Sequence, residues 1–415
     1  MKKTTGFIAI LAILFASCTA SKPGQSKEDL VTTAYDAASV QYGNMLDFVA
    51  GNEKAMPRTL KKDGSMRWTH PFDWTAGFFP GSLWYLYEQT GEQKWKTAAI
   101  AQQAKIEHYK TKYNNHDIGF TMNCSFGNAL RLTKDETYKE VLVTSANTLA
   151  GRFSETTGCL MSWNPSKSRD FKYPVIVDNM MNLELMFVAS VLSGDSKYKD
   201  IAVTHAVTTI KNHYRPDGSS FHLVDYDPET GKPRRKITVQ GYADESAWAR
   251  GQAWGLYGYV MCYRFTKDRR FLDQAVKIAD FLANHKNMPA DGVPYWDFNA
   301  PNIPNAHRDV SAGAIMASAF YELSTYAKGG KRFRVFADKT ITSLAGKAYT
   351  PESGQNSNFI LMHAVGHLPG DVEVDVPLNY ADYYYLEALK RKSILDEGKK
   401  LKDWFAYTSD DLRGV

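Results

Sequence analysis

The chain has 415 residues, 44% hydrophobic, 23% charged and 13% aromatic, a mixture that buries a core and excludes a disordered or fibrous protein. Its net charge of +5, from 50 Lys and Arg against 45 Asp and Glu, is small, and no block of like charges announces a nucleic-acid partner. The 9 Trp, 24 Tyr and 21 Phe exceed what such a core requires, and several sit beside polar residues, a combination that often lines sugar sites.

At the N-terminus, Lys2 and Lys3 precede an apolar run from Phe7 to Ala16. That run is too short to span a bilayer, which needs about 20 residues, so 1–17 reads as an export signal. Phe15, Ala16, Ser17 and Cys18 resemble a bacterial lipoprotein processing box, with Phe15 where an aliphatic residue is usual. The expectation is cleavage before Cys18, acylation of its thiol, a flexible tether over 18–27, and a periplasmic or outer-membrane-anchored protein held to the membrane by that lipid only. Cys124, Cys159 and Cys262 remain, an odd number without metal-type spacing, and read as core thiols.

Residues 28–415 carry a repeat: an apolar helical stretch, a short polar turn, an aromatic residue, then an amphipathic helix. The turns LYEQTGEQKW, LTKDETY, LSGDSKY, FTKDRRF and YAKGGKRF end at Trp95, Tyr138, Tyr198, Phe271 and Phe333. Between them apolar residues recur at steps of three and four, as in Phe271, Val276, Ile278 and Phe281, and little strand alternation competes. A helix around Leu30 to Val49 and another around Tyr380 to Arg391 supply a sixth pair split between the chain ends. That split favours a closed all-α (α/α)6 toroid of inner and outer helices, forming a single domain, over an open solenoid.

Trp74, Asp117, Asp178 and Arg250 lie 21, 21, 20 and 21 residues ahead of Trp95, Tyr138, Tyr198 and Phe271, so the repeat places them at one rim of the central cavity. The loops entering that rim are long, and loops on a rigid scaffold carry chemistry. Either Asp alone is explained as a helix N-cap; two in phase with an Arg and a Trp suggest a site. Asp178 follows Val175, Ile176 and Val177, an apolar setting that raises a carboxyl pKa and suits an acid/base. Asp117 follows Asn114, Asn115 and His116, which are positioned to hydrogen-bond or pair with a carboxylate that stays ionised. Arg250 and Trp254, four apart on a helix, would present a guanidinium beside an indole to an acidic sugar. The alternative is Trp packing in the core and Arg250 pairing with Asp244 or Glu245.

The segments DWTAGFFPGSLWYLYE, HDIGF, DNMMNLELM, RPDGSSFH, TVQGYADESAWARGQAWGLYG and RDVSAGAIMASA, in this order between about Trp68 and Glu387, resemble the unsaturated glucuronyl hydrolases, family 88 of the glycoside hydrolases. The resemblance implies an (α/α)6 barrel without metal or organic cofactor. Its substrates would be oligosaccharides of chondroitin, hyaluronan or heparin type bearing a 4,5-unsaturated glucuronic acid. Water would add across the C4=C5 vinyl ether, the proton to C4 and the hydroxyl to C5, and the hemiketal would open and release the remaining sugar. By motif, Asp178 in DNMMN matches the principal acid/base and Asp117 in HDIGF the second carboxylate. His222, Gln240, Trp248, Arg250 and Trp254 match substrate-site residues, joined by Trp74 and His116.

The sister family acting on unsaturated galacturonyl-rhamnose shares this chemistry, but HDIGF and QGYADESAWARGQAW favour the glucuronyl family. A sugar 2-epimerase would need catalytic histidines, and His205, His213, His363 and His367 all fall outside the rim register. The HAVGH segment also lacks the Glu of a zinc-binding HExxH. A glycan-binding lipoprotein would be ill served by two carboxylates at the cavity floor. The segment GHLPGDVEVDVPLNY is expected to border the cavity, and KPRRK at Lys232 to Lys236 either attracts anionic oligosaccharides or, the favoured reading, is a solvated loop.

Overall fold

Helices of two compositions alternate along the chain in a computed structural model that describes residues 29–404, without 53, 54, 71 and 113. The export signal, Cys18 and the tether lie outside the described residues. The outer helices are α1 (Leu30–Val49), α3 (Gln93–Ala104), α6 (Thr137–Ala150), α8 (Ser196–His213), α10 (Arg269–Asn284) and α12 (Lys331–Leu344). The inner ones are α2 (Phe78–Thr90), α4 (Ile118–Met122) running through a π turn into α5 (Asn128–Thr133), α7 (Asn179–Ser193), α9 (Ala249–Thr266), α11 (Val310–Leu323) and α13 (Asn379–Asp396). Every residue of α11 is buried, whereas α10 buries only a stripe led by Phe271, Ala275, Ile278 and Leu282. A helix apolar all round must sit inside, and one with an apolar stripe must lie against it.

The inner helices pack in chain order and α13 returns onto α2, so the ring closes as an (α/α)6 toroid. Its sixth pair is α13 with α1, held by Tyr35 donating to the Leu386 carbonyl at 2.8 Å and Tyr42 donating to Asp382 at 3.2 Å. The repeated turn has a physical logic. Lys134, Gly194 and Lys267 adopt left-handed φ values of 57°, 74° and 56° that stop the inner helix. The Asp that follows each accepts a backbone N–H opening the outer helix: Asp135 from Thr137, Asp195 from Lys197 and Asp268 from Arg270, at 2.9–3.0 Å. Trp95, Phe271 and Phe333 then plug the junction, each fully buried. Cys124, Cys159 and Cys262 are free and buried, as the core-thiol reading expects.

The strands are two to five residues long, too short to leave an alternating pattern, and they decorate the loops ahead of inner helices. The hairpin β1 (Pro57–Leu60) with β2 (Met66–Trp68) precedes α2, and β3 (Phe153–Ser154) with β4 (Cys159–Leu160) precedes α7. A three-stranded antiparallel sheet, β5 (Pro174–Ile176), β6 (Leu223–Tyr226) and β7 (Pro233–Ile237), and the hairpin β8 (Ala364–His367) with β9 (Val372–Val376) build up the same rim.

Candidate active site

Asp117 and Asp178 occupy the N-cap positions of α4 and α7, yet neither side chain bonds a helix N–H. Asp309, at the N-cap of α11, shows what capping looks like: its carboxylate accepts the Ser311 N–H at 3.0 Å and the Ser311 hydroxyl at 2.6 Å. Capping therefore accounts for Asp309 and leaves Asp117 and Asp178 unexplained as structural residues. Both instead face a cavity of about 260 Å³ whose wall also contains Trp74, Phe120, Trp163, Arg169, Ile176, Val239, Gln240, Arg250 and His367.

Asp178 is 8% exposed, and its Oδ2 is buried without a hydrogen-bond partner. Burial pushes its carboxyl up to about 7, against the opposing pull of the Arg250 charge and the Trp254 indole N–H. An ionised oxygen left unpartnered at that depth is costly, so the site favours a protonated Asp178 or an incoming donor.

Asp117 departs from the expectation that it stays ionised. Burial and then the Asp178 charge push it up to about 8, opposed by Arg152. The neighbours expected to serve its carboxylate do other work. Asn115 accepts the backbone N–H of Asp117 at 2.7 Å. His116, with Nε2 3.3 Å from Asp117 Oδ1, is buried and held down to about 3, so the ring is neutral and brings no charge.

The tautomer of His116 follows from Asn182. The Asn182 Oδ1 accepts the Phe120 N–H at 2.8 Å, so its amide nitrogen faces His116 Nδ1 at 3.2 Å and the ring proton sits on Nε2, toward Asp117. Asn182 closes the DNMMN segment one helical turn after Asp178, a spacing visible in the sequence though its role was not. His222 repeats the arrangement. Its Nδ1 accepts the Val239 N–H at 3.0 Å, which leaves Nε2–H pointing toward Asp178 Oδ2 at 3.8 Å, and burial holds this ring also down to about 3.

The expected substrate residues divide into cavity wall and support. Trp74, Gln240 and Arg250 reach the cavity, but His116, His222, Trp248 and Trp254 lie behind it, fully or almost fully buried. Trp248 packs edge-on to His222 at 4.8 Å and under the Arg250 guanidinium at 4.5 Å. Trp254 lies against Phe120 at 5.1 Å. The indole platform expected beside Arg250 is therefore a buttress for Asp178 and Arg250.

Arg250 is also more committed than an open guanidinium. It pairs with Asp309 at 3.0 Å and donates to the Val365 and Gly366 carbonyls. Neither expected alternative partner is used, and Glu245 instead stands 3.5 Å from Arg215. Gln240 converges on the same Gly366 carbonyl at 3.3 Å, so both wall residues are clamped to the β8–β9 hairpin.

That hairpin corrects the exclusion of His367 from the rim. The helical register does not forecast where a strand pair folds, and this one lays His367 into the cavity wall with Nε2 3.0 Å from the Val239 carbonyl. His363 faces Asp375 at 2.7 Å instead of sharing a site with it. KPRRK is not a loop but mostly strand β7, in which Arg234 and Arg235 pair with Asp170, and Arg234 also with Asp225. Trp163 and Arg169, on the loop between β4 and β5, were missed; the signal was an aromatic residue among polar ones in MSWNPSKSRDF.

The sequence model of glycosyl hydrolase family 88 matches residues 51–384. An unsaturated glucuronyl hydrolase of Formosa agariphila is 40% identical over 400 residues, covering 95% of this chain and 99% of its own. An unsaturated chondroitin disaccharide hydrolase of Streptococcus pyogenes is 31% identical over 389 residues, covering 92% of this chain and 94% of its own. Among solved structures, an unsaturated glucuronyl hydrolase specific for heparin superposes with a TM-score of 0.85 at 43% identity, covering 89% of this chain and 98% of that one. With a closed toroid, a carboxyl-lined cavity at one rim and a match along most of its length, the chain belongs to glycosyl hydrolase family 88.

Proposed function

We propose that this enzyme removes 4,5-unsaturated glucuronic acid from the non-reducing end of lyase-generated glycosaminoglycan oligosaccharides by hydrating the C4=C5 vinyl ether. The observation that carries the reading is the pair Asp117 and Asp178: two N-cap carboxyls that cap nothing, face one small cavity and titrate near neutrality. A glycosidase working through an oxocarbenium at the anomeric carbon needs a nucleophile or a water on the face opposite its acid. Vinyl-ether hydration asks less, because one group can give a proton and then take one.

In this mechanism Asp178 starts protonated and delivers its proton to C4. The positive charge that develops at C5 and the ring oxygen is met by the Asp178 carboxylate just formed. That carboxylate takes a proton from the water adding to C5, which restores the acid. The C5 hemiketal opens to a ketone, freeing the hemiacetal at C1, whose collapse releases the next sugar. Neutral His222 directs its Nε2–H toward Asp178 and steadies the ionised intermediate state without adding a full charge. Asp117, kept protonated chiefly by burial, serves as a hydrogen-bond donor to the sugar ring.

The conjugated enol-ether carboxylate absorbs ultraviolet light, and hydration abolishes the band. Purified protein should bleach it for unsaturated heparin, chondroitin or hyaluronan disaccharides, and an unchanged signal on all three refutes the reading. Heparin-type substrates come first in that assay, given the 43% identity to the relative specific for heparin. The export signal and Cys18 support a further part of the proposal, an enzyme tethered by lipid in the periplasm or at the outer membrane. Metabolic labelling with a fatty-acid probe that persists in a Cys18→Ala variant would refute the tether.

A further inference from the structure

We propose that Arg169 sets specificity in this site by binding an anionic substituent, a sulfate ester, on the sugar that follows the unsaturated uronate. The inference rests on the function proposed above. A cavity of about 260 Å³ is small for a drug-sized ligand and suits a single pyranose ring, with the next sugar at its mouth. Arg169 is exposed and lines that cavity, whereas Asp178 lies deep within it. The uronate carboxylate belongs at the deep end, because it is attached to C5, the carbon that receives water beside Asp178.

The backbone around Arg169 is pinned. Ser166 and Phe171 exchange backbone hydrogen bonds at 3.0 and 2.8 Å, and Arg235 donates to the Arg169 carbonyl at 3.0 Å. The neighbouring carboxylate, Asp170, is already engaged by Arg234 and Arg235. The Arg169 guanidinium, by contrast, has no hydrogen-bond or ion-pair partner among the described residues. The other guanidinium on the wall, Arg250, is neutralised by Asp309. Trp163 on the same loop, with ring centroids 6.4 Å from Phe171 and 6.1 Å from His222, gives the cavity an aromatic wall. A planar guanidinium on a fixed backbone beside an indole suits bidentate contact with a sulfate.

The test compares unsaturated heparin-type disaccharides with and without a sulfate on the hexosamine, using wild type, Arg169→Gln and Arg169→Lys. The readout is the ratio of kcat/KM for the sulfated over the unsulfated substrate, in which any loss of folded protein cancels. Arg169→Gln should lower this ratio about five- to tenfold, mostly through KM, with Arg169→Lys between it and wild type. A change smaller than threefold overturns the assignment, whatever happens to the separate rates. So does a wild type that hydrates only the unsulfated disaccharide. A wild type that hydrates neither refutes the underlying function, and Arg169 falls with it.

Discussion

His222 Nε2 stands 3.8 Å from Asp178 Oδ2 and carries the ring proton, because the other ring nitrogen accepts the Val239 N–H. Neither atom has a hydrogen-bond partner, and burial holds the Asp178 carboxyl up to about 7. Asp178→Asn keeps the shape and removes the proton. It should lower kcat by about 10³-fold or more while the substrate still binds, as judged by ultraviolet bleaching and calorimetry. Full activity in this variant would remove Asp178 from the mechanism.

The sign of the pH dependence follows from the acid that must start protonated. With Asp178 at about 7, kcat/KM should hold through mildly acidic pH and fall tenfold per unit above about 7. A pH series on one disaccharide checks this, and a rate rising steadily past neutrality would contradict it.

Asp117→Asn separates the two carboxyls. Burial is the largest cause of the rise at both, so removing the Asp117 carboxyl leaves most of the rise at Asp178 in place. The variant should lose about 10²-fold in kcat while its alkaline limb stays near 7. A limb displaced by a full unit would show that the two acids share the catalytic proton.

Arg250 and Asp309 are both buried and pair at 3.0 Å. Arg250→Met strands the carboxylate and should cost about 3–5 kcal/mol in unfolding free energy. Pairing it with Asp309→Asn should return part of that loss, measured by denaturant unfolding. If Arg250→Met costs under about 1 kcal/mol, the guanidinium serves the substrate alone.

Stability should peak in mildly acidic buffer. His116, His205, His213 and His222 are held down to about 3, so the unfolded chain binds more protons below about 6.5 and stability drops toward acid. Asp117, Asp178 and Asp382 are held up to about 8, 7 and 7, so the folded chain binds more protons above about 4 and stability drops as pH climbs toward 8. Each group contributes up to about 1.4 kcal/mol per pH unit inside its window. Between about 4 and 6.5 the four histidines outweigh the three carboxyls by one proton, so melting should rise toward about 6.5 and fall above it. At pH 8, Asp178→Asn should melt above wild type, the reverse of its effect on rate.

The toroid was legible because a helix stop followed by an Asp cap and an aromatic plug recurs at fixed spacing, and helix periodicity carries over long stretches. That register also brought Trp74, Asp117, Asp178 and Arg250 to one cavity. It could not say which side of an inner helix a side chain faces, so Trp248 and Trp254 were expected in the cavity and stand behind it. Nor does local sequence fix the electrostatics of Asp117, since His116 looks like a cation in the sequence and is neutral where it is buried. His367, Trp163 and Arg169 come from hairpins and loops whose placement depends on contacts far away in the chain, such as His367 with Val239 and Arg169 with Arg235.

The pairing of α1 with α13 imposes an order on how the molecule comes into being. A ribosome releases α1 first and its partner last, so the first helix must wait for nearly the whole polypeptide before Tyr35 finds Leu386 and Tyr42 finds Asp382. A ring not yet closed would be an arc exposing the faces that α2 and α13 bury against each other in the finished molecule. Two such arcs can latch head to tail as readily as one closes on itself, so dilution during refolding should raise the yield of monomer.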